Sequence, residues 1–532
     1  MERFLSLYLH GNTSVVHVRG STFGPDDEIH HDTTATATEI TTFGSKVPDW
    51  LQKALASMTL SIPFPGTTHH DIIQSLTMDN IKIDFSMISG GPVVSGDATA
   101  LLQLPKEMQF DLDVTEIDPD VYIYLEHDSA SPFARLRPRK PCPSKTIHRG
   151  DPDGDDGSIP EGMFMVKSSI DKAPFQVLSG HEGEFEKFLD RVFKKRNSTV
   201  YLQGTADAMV VSEFGKLTVR DLAFKGQINT MGMQGMTNPP PKVISMAIVK
   251  GHPDALQAKT KLIITNPSDV DVNLGTITLA MLYKDIEIGN VTIQDLNLVH
   301  RSDNEFESNS YIYAKAGRQR GMCYNDGIQL SPVVEFIGNY ISGESTDLVI
   351  AGRKGSTKSR LLASLMKQMV FSIQVPTFDE QPLLQDVQMN LLSSTAVAWL
   401  RNPFEDIDMQ IVNINASATY QSQKIGTMYA NFTDGGRGWK GPVELPPVSC
   451  QDSIEMNNNN DSEDDDCVGF VVETPRIPVM MKTVGLDMIS KALGGKIEVA
   501  VDSRVTVMID SFILADLQYK RNNITAIIKK SF

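Results

Sequence analysis

The sequence predicts a mainly β chain divided into tandem modules, each with one short helix. Three observations predict it. A helix-then-strand pattern recurs along the chain, an Asn-Pro strand and Ile-Gly hairpin recur between those copies, and apolar residues alternate after each helix. Alternation at period two marks a strand with one buried face, whereas apolar residues at i, i+1, i+4 and i+5 mark one face of a helix.

The helix-strand copies come first in the chain. "FLSLYLHGNTSVVHVRG" at residue 4, "FLDRVFKKRNSTVYLQG" at 188 and "FIGNYISGESTDLVIAG" at 336 align without a gap, and "MISKALGGKIEVAVDSR" at 488 aligns with one deletion. Their helix faces are Phe4, Leu5, Tyr8, Leu9; Phe188, Leu189, Val192, Phe193; Phe336, Ile337, Tyr340, Ile341; and Met488, Ile489, Ala492, Leu493. Val16 and Val18, Leu348 and Ile350, and Val499 and Val501 continue them as strands, with Gly20, Gly204 and Gly352 closing three copies.

The hairpin element lies between the helices. "KLIITNPSDVDVNLGTITLAMLYKDIEIG" (261–289) and "VAWLRNPFEDIDMQIVNINASATYQSQKIG" (397–426) share a strand, Asn-Pro, two further strands and Ile-Gly. Proline has no N–H to donate, so it ends a strand. A degenerate copy has Leu104-Pro105 at the turn. This order sets the boundaries. Residues 1–66 read as the second half of a module whose Asn-Pro half is missing, so the chain is expected to begin in mid-domain. Complete modules follow at 67–236, 237–380 and 381–532, the second and fourth enlarged by the acidic loops "RGDPDGDDGSIPEG" and "NNNNDSEDDD".

Composition narrows the partners. A net charge of −17 excludes nucleic acid, which needs clustered Lys and Arg. No run approaches the ~20 apolar residues of a membrane span, and no secretory signal is visible at the N-terminus. Asn-x-Ser/Thr triplets stand at Asn12, Asn197, Asn290, Asn415, Asn431, Asn460 and Asn523, a spread that fits a lumenal or extracellular protein. Cys450 and Cys467 bracket the acidic loop. They form either a clip closing it in an oxidising compartment or two unrelated thiols.

Motifs for chemistry fail on their details. "GRKGSTKS" (352–359) has Thr357 where a phosphate loop needs Gly before the Lys. Asp151, Asp153 and Asp155 have calcium-loop spacing, but Asp156 and Gly162 stand at the Gly and Glu positions. His30-His31-Asp32 and His69-His70-Asp71 read as surface polar residues, since neighbours on a strand face opposite ways. "RLRPRKPCPSK" (135–145) is basic enough to touch anionic headgroups, yet its prolines read first as an extended linker. The expectation is therefore no enzyme, no cofactor and no metal.

The Asn-Pro strand, the Ile-Gly hairpin and the helix followed by V-x-L-x-G resemble the late-embryogenesis-abundant group 2 domain family. The resemblance covers essentially the whole chain and implies Ig-like β-sandwich modules, each with one short helix. Tandem copies in an acidic chain are most similar to fungal vacuolar-membrane members implicated in terminating autophagy. That resemblance implies a location at the vacuole membrane on its lumenal side, although the transmembrane helix of those members is absent here. It implies lipid as the candidate ligand of the modules and a vacuolar membrane protein as a candidate partner. The alternative is a spacer presenting a protein-interaction surface in the vacuole lumen. Alternating strands look the same around a groove as around a packed core.

Overall fold

The computed structural model describes residues 6–8, 10–19, 49–66, 72–86, 91–104, 112–127, 129, 131–152, 159–213, 215–314, 331–376, 382–390, 393–435, 439–447, 470–481 and 495–529. It is mainly β with few helices, as the alternation predicts. Two compact units account for it. The first comprises 1–81, 94–181 and 199–228, and the second comprises 82–93, 182–198 and 229–532.

In the first unit, β1 (Ser14–Arg19), α1 (Asp49–Ser57) and β2 (Thr59–Phe64) form an N-terminal ribbon, with β1 antiparallel to β2. Helix α1 was not expected from the repeats. Residues directly opposite in the pair share a face, so Val16, Val18, Leu60 and Ile62 lie together. Val18, Leu60, Ile62 and Phe64 remain exposed. The second module follows with β3 (Ile73–Asp84), β4 (Val93–Gln103), β5 (Asp113–Tyr124), β6 (Ala134–Leu136), β7 (Cys142–Ile147), β8 (Met163–Val177), β9 (Asn197–Ser212) and β10 (Gly215–Met231). Leu112, Val114, Phe164, Val166, Val210 and Val219 fill one core there. Gly204 does not close a strand. It lies inside β9 with its Cα so near the Asp120 carbonyl that a Cβ would overlap it.

The second unit takes in α2 (Glu182–Lys194), the helix expected at Phe188, with Phe185, Leu189 and Phe193 buried. Its third module has β11 (Lys242–Gly251), β12 (Ala255–Asn266), β13 (Asp271–Asn273), β14 (Ile277–Tyr283), β15 (Ile286–Ile293), β16 (Asn297–Leu298), β17 (Ser302–Tyr313), α3 (Pro332–Ile341), β18 (Thr346–Ala351), α4 (Ala363–Met366) and β19 (Val370–Val375). The main sheet runs β11-β12-β17-β15-β14-β18-β19. Helix α3 is the one expected at Phe336, and Phe336 and Ile337 are fully buried.

The fourth module has β20 (Leu384–Asn390), β21 (Thr395–Arg401), β22 (Met409–Tyr420), β23 (Gln423–Asn431), β24 (Val443–Leu445), β25 (Val471–Glu473), β26 (Ile477–Met481), β27 (Lys496–Ile509) and β28 (Phe512–Lys529). Its strands run β20-β28-β27-β22-β23-β26-β21, and β21 pairs back onto β20. The sheet therefore closes on itself. Closure removes most of the free edge, since β28 meets β20 only from Ala526 to Lys529, and leaves an interior whose free volume depends on the size of the inward side chains. The fourth-copy helix face, Met488 to Leu493, lies outside the described residues.

Both Asn-Pro turns are built alike. Asn266 donates from its amide to the carbonyls of Val270 (2.9 Å) and Leu298 (3.1 Å) and accepts the Ser268 N–H (3.0 Å). Asn402 donates to Ile407 (2.7 Å) and Leu445 (3.0 Å) and accepts the Phe404 N–H (3.0 Å). Both asparagines are completely buried. The proline ends the strand, and the asparagine ties three backbone groups together around the turn.

Candidate functional site

The closed sheet of the fourth module encloses a cavity of about 360 Å³. Inward residues of β20 to β23 and β26 to β28 line it, almost all of them apolar. The hydroxyl-bearing residues among them add little polarity. Ser503 Oγ donates to the Tyr519 carbonyl at 3.2 Å, and the Tyr519 hydroxyl accepts the Leu384 N–H at 3.2 Å. Burial pushes the Tyr519 phenol above its ordinary range, against the opposing effects of that hydrogen bond and of Arg521. Met428 is half-buried and Met481 exposed on the rim. The site can hold hydrocarbon and offers almost nothing to a charged group.

The third module is the internal comparison. The equivalent space between its strands holds a cavity of only about 60 Å³. Aligning the two hairpin elements explains why. Leu262, Leu279 and Met281 line the third-module space where Ala398, Ala416 and Ala418 line the fourth. Each replacement removes three heavy atoms. Nine side-chain heavy atoms that occupy the third-module interior are therefore missing from the fourth. The alanines are the sequence signal for the cavity, which alternation alone does not carry because it is blind to residue size.

The motifs singled out in the sequence are placed as follows. In "GRKGSTKS", the Arg353 N–H donates to Ser356 Oγ (2.8 Å) and the Ser356 N–H to the Arg353 carbonyl (3.0 Å), so the segment folds as a turn on its own donors. Asp151 accepts the His148 N–H at 2.7 Å, while Asp153 and Asp155 lie outside the described residues. So do His30, His31, Asp32, His69, His70, Asp71, Cys450, Cys467 and Asn460. In the basic stretch, Arg135 clasps Asp120 through two hydrogen bonds of 2.5–2.6 Å, and Cys142 is buried. Among the sequons, Asn12, Asn197, Asn415 and Asn523 are exposed and Asn290 and Asn431 are half-buried.

Two family models match the chain. Residues 167–281, from within β8 into β14, match the family described as Protein of unknown function (DUF3712). Residues 377–433 match the Tag1-like fifth LEA-2 like domain. No curated protein matches the chain. Among solved structures, the BSP domain of a biofilm associated protein aligns at 7% identity over 88% of this chain and 68% of its own, with a TM-score of 0.14. A mutant Salmonella alpha-2-macroglobulin aligns at 9% identity over 89% and 34%, with a TM-score of 0.12. The native conformation of E. coli alpha-2-macroglobulin gives 9%, 89% and 34%, with a TM-score of 0.11. The fourth module is thus similar to a LEA-2 like domain from β20 through β23, the stretch that contains both the Asn402 turn and the three cavity alanines.

Proposed function

We propose that this chain is a non-enzymatic, lumen-facing protein of the vacuolar membrane that takes part in terminating autophagy, and that it holds a hydrocarbon chain inside the fourth module. The family resemblance, supported by the LEA-2 like match, suggests the cellular role. The apolar cavity of about 360 Å³ carries the molecular one. That volume is at the small end of ligand pockets, which run from about 300 to 1,000 Å³. A methylene is close in size to a water, whose share of liquid volume is ~30 Å³, so the cavity takes on the order of a dozen. At about 0.8 kcal/mol per buried methylene, these contribute roughly 10 kcal/mol before association costs. The ligand class that fits is a single acyl chain, its polar end outside the cavity. The spacer reading suits the third module, whose interior is nearly filled.

The test transplants the third module's residues into the fourth. Ala398→Leu, Ala416→Leu and Ala418→Met together fill the cavity, and wild-type chain and triple variant are titrated with a fluorescent fatty acid. Saturable binding by wild type, at least tenfold weaker in a variant of unchanged circular dichroism and thermal stability, is expected. Absence of saturable binding to wild type would leave the spacer reading.

A further inference from the structure

Strand β28 is one wall of the cavity, and only one of its edges is fully paired. It runs against β27 from Phe512 to Ile527, but its other edge meets β20 only from Ala526 to Lys529. An uncovered strand edge is a row of unmet N–H and C=O groups. Here the third module covers it. Helix α3 lies against β28, and Gly338 sits so near the Gln518 carbonyl that a Cβ would come to 2.5 Å from it. One turn further on, Ser342 Oγ accepts the Lys520 N–H at 3.2 Å. Gln518 and Lys520 therefore turn backbone groups outward to the third module. Between them, Tyr519 pairs with Ser503 and lines the cavity.

A second contact holds the end of the same hairpin. The Gly251 N–H, at the end of β11, donates to Asp510 Oδ2 at 3.1 Å, and the Gly251 carbonyl accepts the Ser511 hydroxyl at 2.9 Å. A side chain at 251 would collide with the Ile509 carbonyl. The helix is fixed in its own module, because Tyr340 donates its hydroxyl to the Met246 carbonyl at 2.5 Å and Val333, Phe336 and Ile337 are fully buried.

We infer that the third module is the frame of the fourth module's cavity: α3, acting through Gly338 and Ser342, positions the β28 wall, so that filling the cavity is felt at α3. The framing stands on the geometry alone. The response to filling rests also on the acyl-chain reading. Together they make the two modules a ligand-responsive pair, with the nearly filled module as the reporting one. Gly338 and Ser342 are positioning residues that touch no ligand.

The experiment is hydrogen exchange by mass spectrometry on the full chain, with and without saturating cis-parinaric acid. Gly338→Val wedges the contact, Ser342→Ala removes one acceptor while keeping the packing, and Gly355→Ala is the control, since a Cβ there meets open space. Without the fatty acid, exchange across 512–525 should rise at least tenfold in Gly338→Val, rise at the Lys520 amide in Ser342→Ala, and stay at the wild-type rate in Gly355→Ala. Wild-type rates both in Ser342→Ala and across 512–525 in a folded Gly338→Val would overturn the framing. If Gly338→Val does not fold, Ser342→Ala alone decides. With the fatty acid, wild-type α3 amides should slow several-fold. Saturable binding that leaves α3 exchange unchanged would overturn the coupling. Failure of the fatty acid to bind wild type would overturn the acyl-chain reading and with it the coupling, while the ligand-free comparison still decides the framing.

Discussion

At the scale of single residues, the turn motif is more a matter of asparagine than of proline. Removing the Asn402 side chain takes a hydrogen bond from two carbonyls and one N–H in a buried turn, where a group left unsatisfied costs about 1–3 kcal/mol. Asn402→Ala is therefore expected to destabilise the chain by at least about 3 kcal/mol in chemical denaturation, against about 1 kcal/mol for Pro403→Ala. Equal losses would return the motif to proline. Asp271 gives a second residue-scale prediction. Burial alone would raise its carboxyl, but the His300 N–H at 2.8 Å, the His300 ring at 2.6 Å and Lys82 at 3.5 Å outweigh it and hold the group below the ordinary carboxylate range. A carboxyl lowered in the native state adds stability above about pH 4, and that stability is lost as pH falls through the native value. Asp271→Asn should thus lower stability at neutral pH and flatten its decline in acid. A decline as steep as wild type would exclude the carboxylate as its source.

Among elements, the contrast between ribbon and modules is testable without a ligand. A two-stranded sheet is marginal in water, and β1 and β2 leave Val18, Leu60, Ile62 and Phe64 exposed, whereas Leu348 and Ile350 of β18 are buried. Amides of 14–19 are expected to exchange faster than those of 346–351, by on the order of 100-fold. Equal protection would mean that the ribbon is as firmly held as a module. Elements were largely legible in the sequence where one local pattern suffices. The helices at Phe188 and Phe336 and the strands around Asn266 and Asn402 needed only periodicity and a turn residue. Helix α1 had no sibling copy to reveal it. Closure of the fourth module was not legible, because it depends on β20 meeting β21 and β28 at once, a non-local match of register. The cavity was half legible: its strands were expected and its emptiness was not, although Ala398, Ala416 and Ala418 stand in plain alignment with Leu262, Leu279 and Met281.

For the whole molecule, the open question is the compartment, and the sequons decide it. No helix among the described residues is long and apolar enough to cross a membrane, and none of these helices reports a side of one. Glycans do. Asn12, Asn197, Asn415 and Asn523 are exposed. Asn290 differs, since its amide donates to the Tyr313 hydroxyl at 2.6 Å and its Oδ1 is buried. A sugar there would have to break that bond and push Tyr313 aside. Asn431 is intermediate, its Oδ1 accepting the Thr433 hydroxyl at 2.8 Å. A lumenal chain expressed in a fungal host should therefore carry glycans on the four exposed asparagines and none on Asn290, with a glycosidase-sensitive mass. Glycopeptide mass spectrometry reads each position separately, so the pattern tests the fold as well as the compartment. A chain whose mass no glycosidase changes would overturn the lumenal reading and leave the cavity to be explained in another compartment. Occupancy at Asn290 equal to that at Asn523 would instead mean that the β15–β17 contact around Tyr313 is looser than the structure shows.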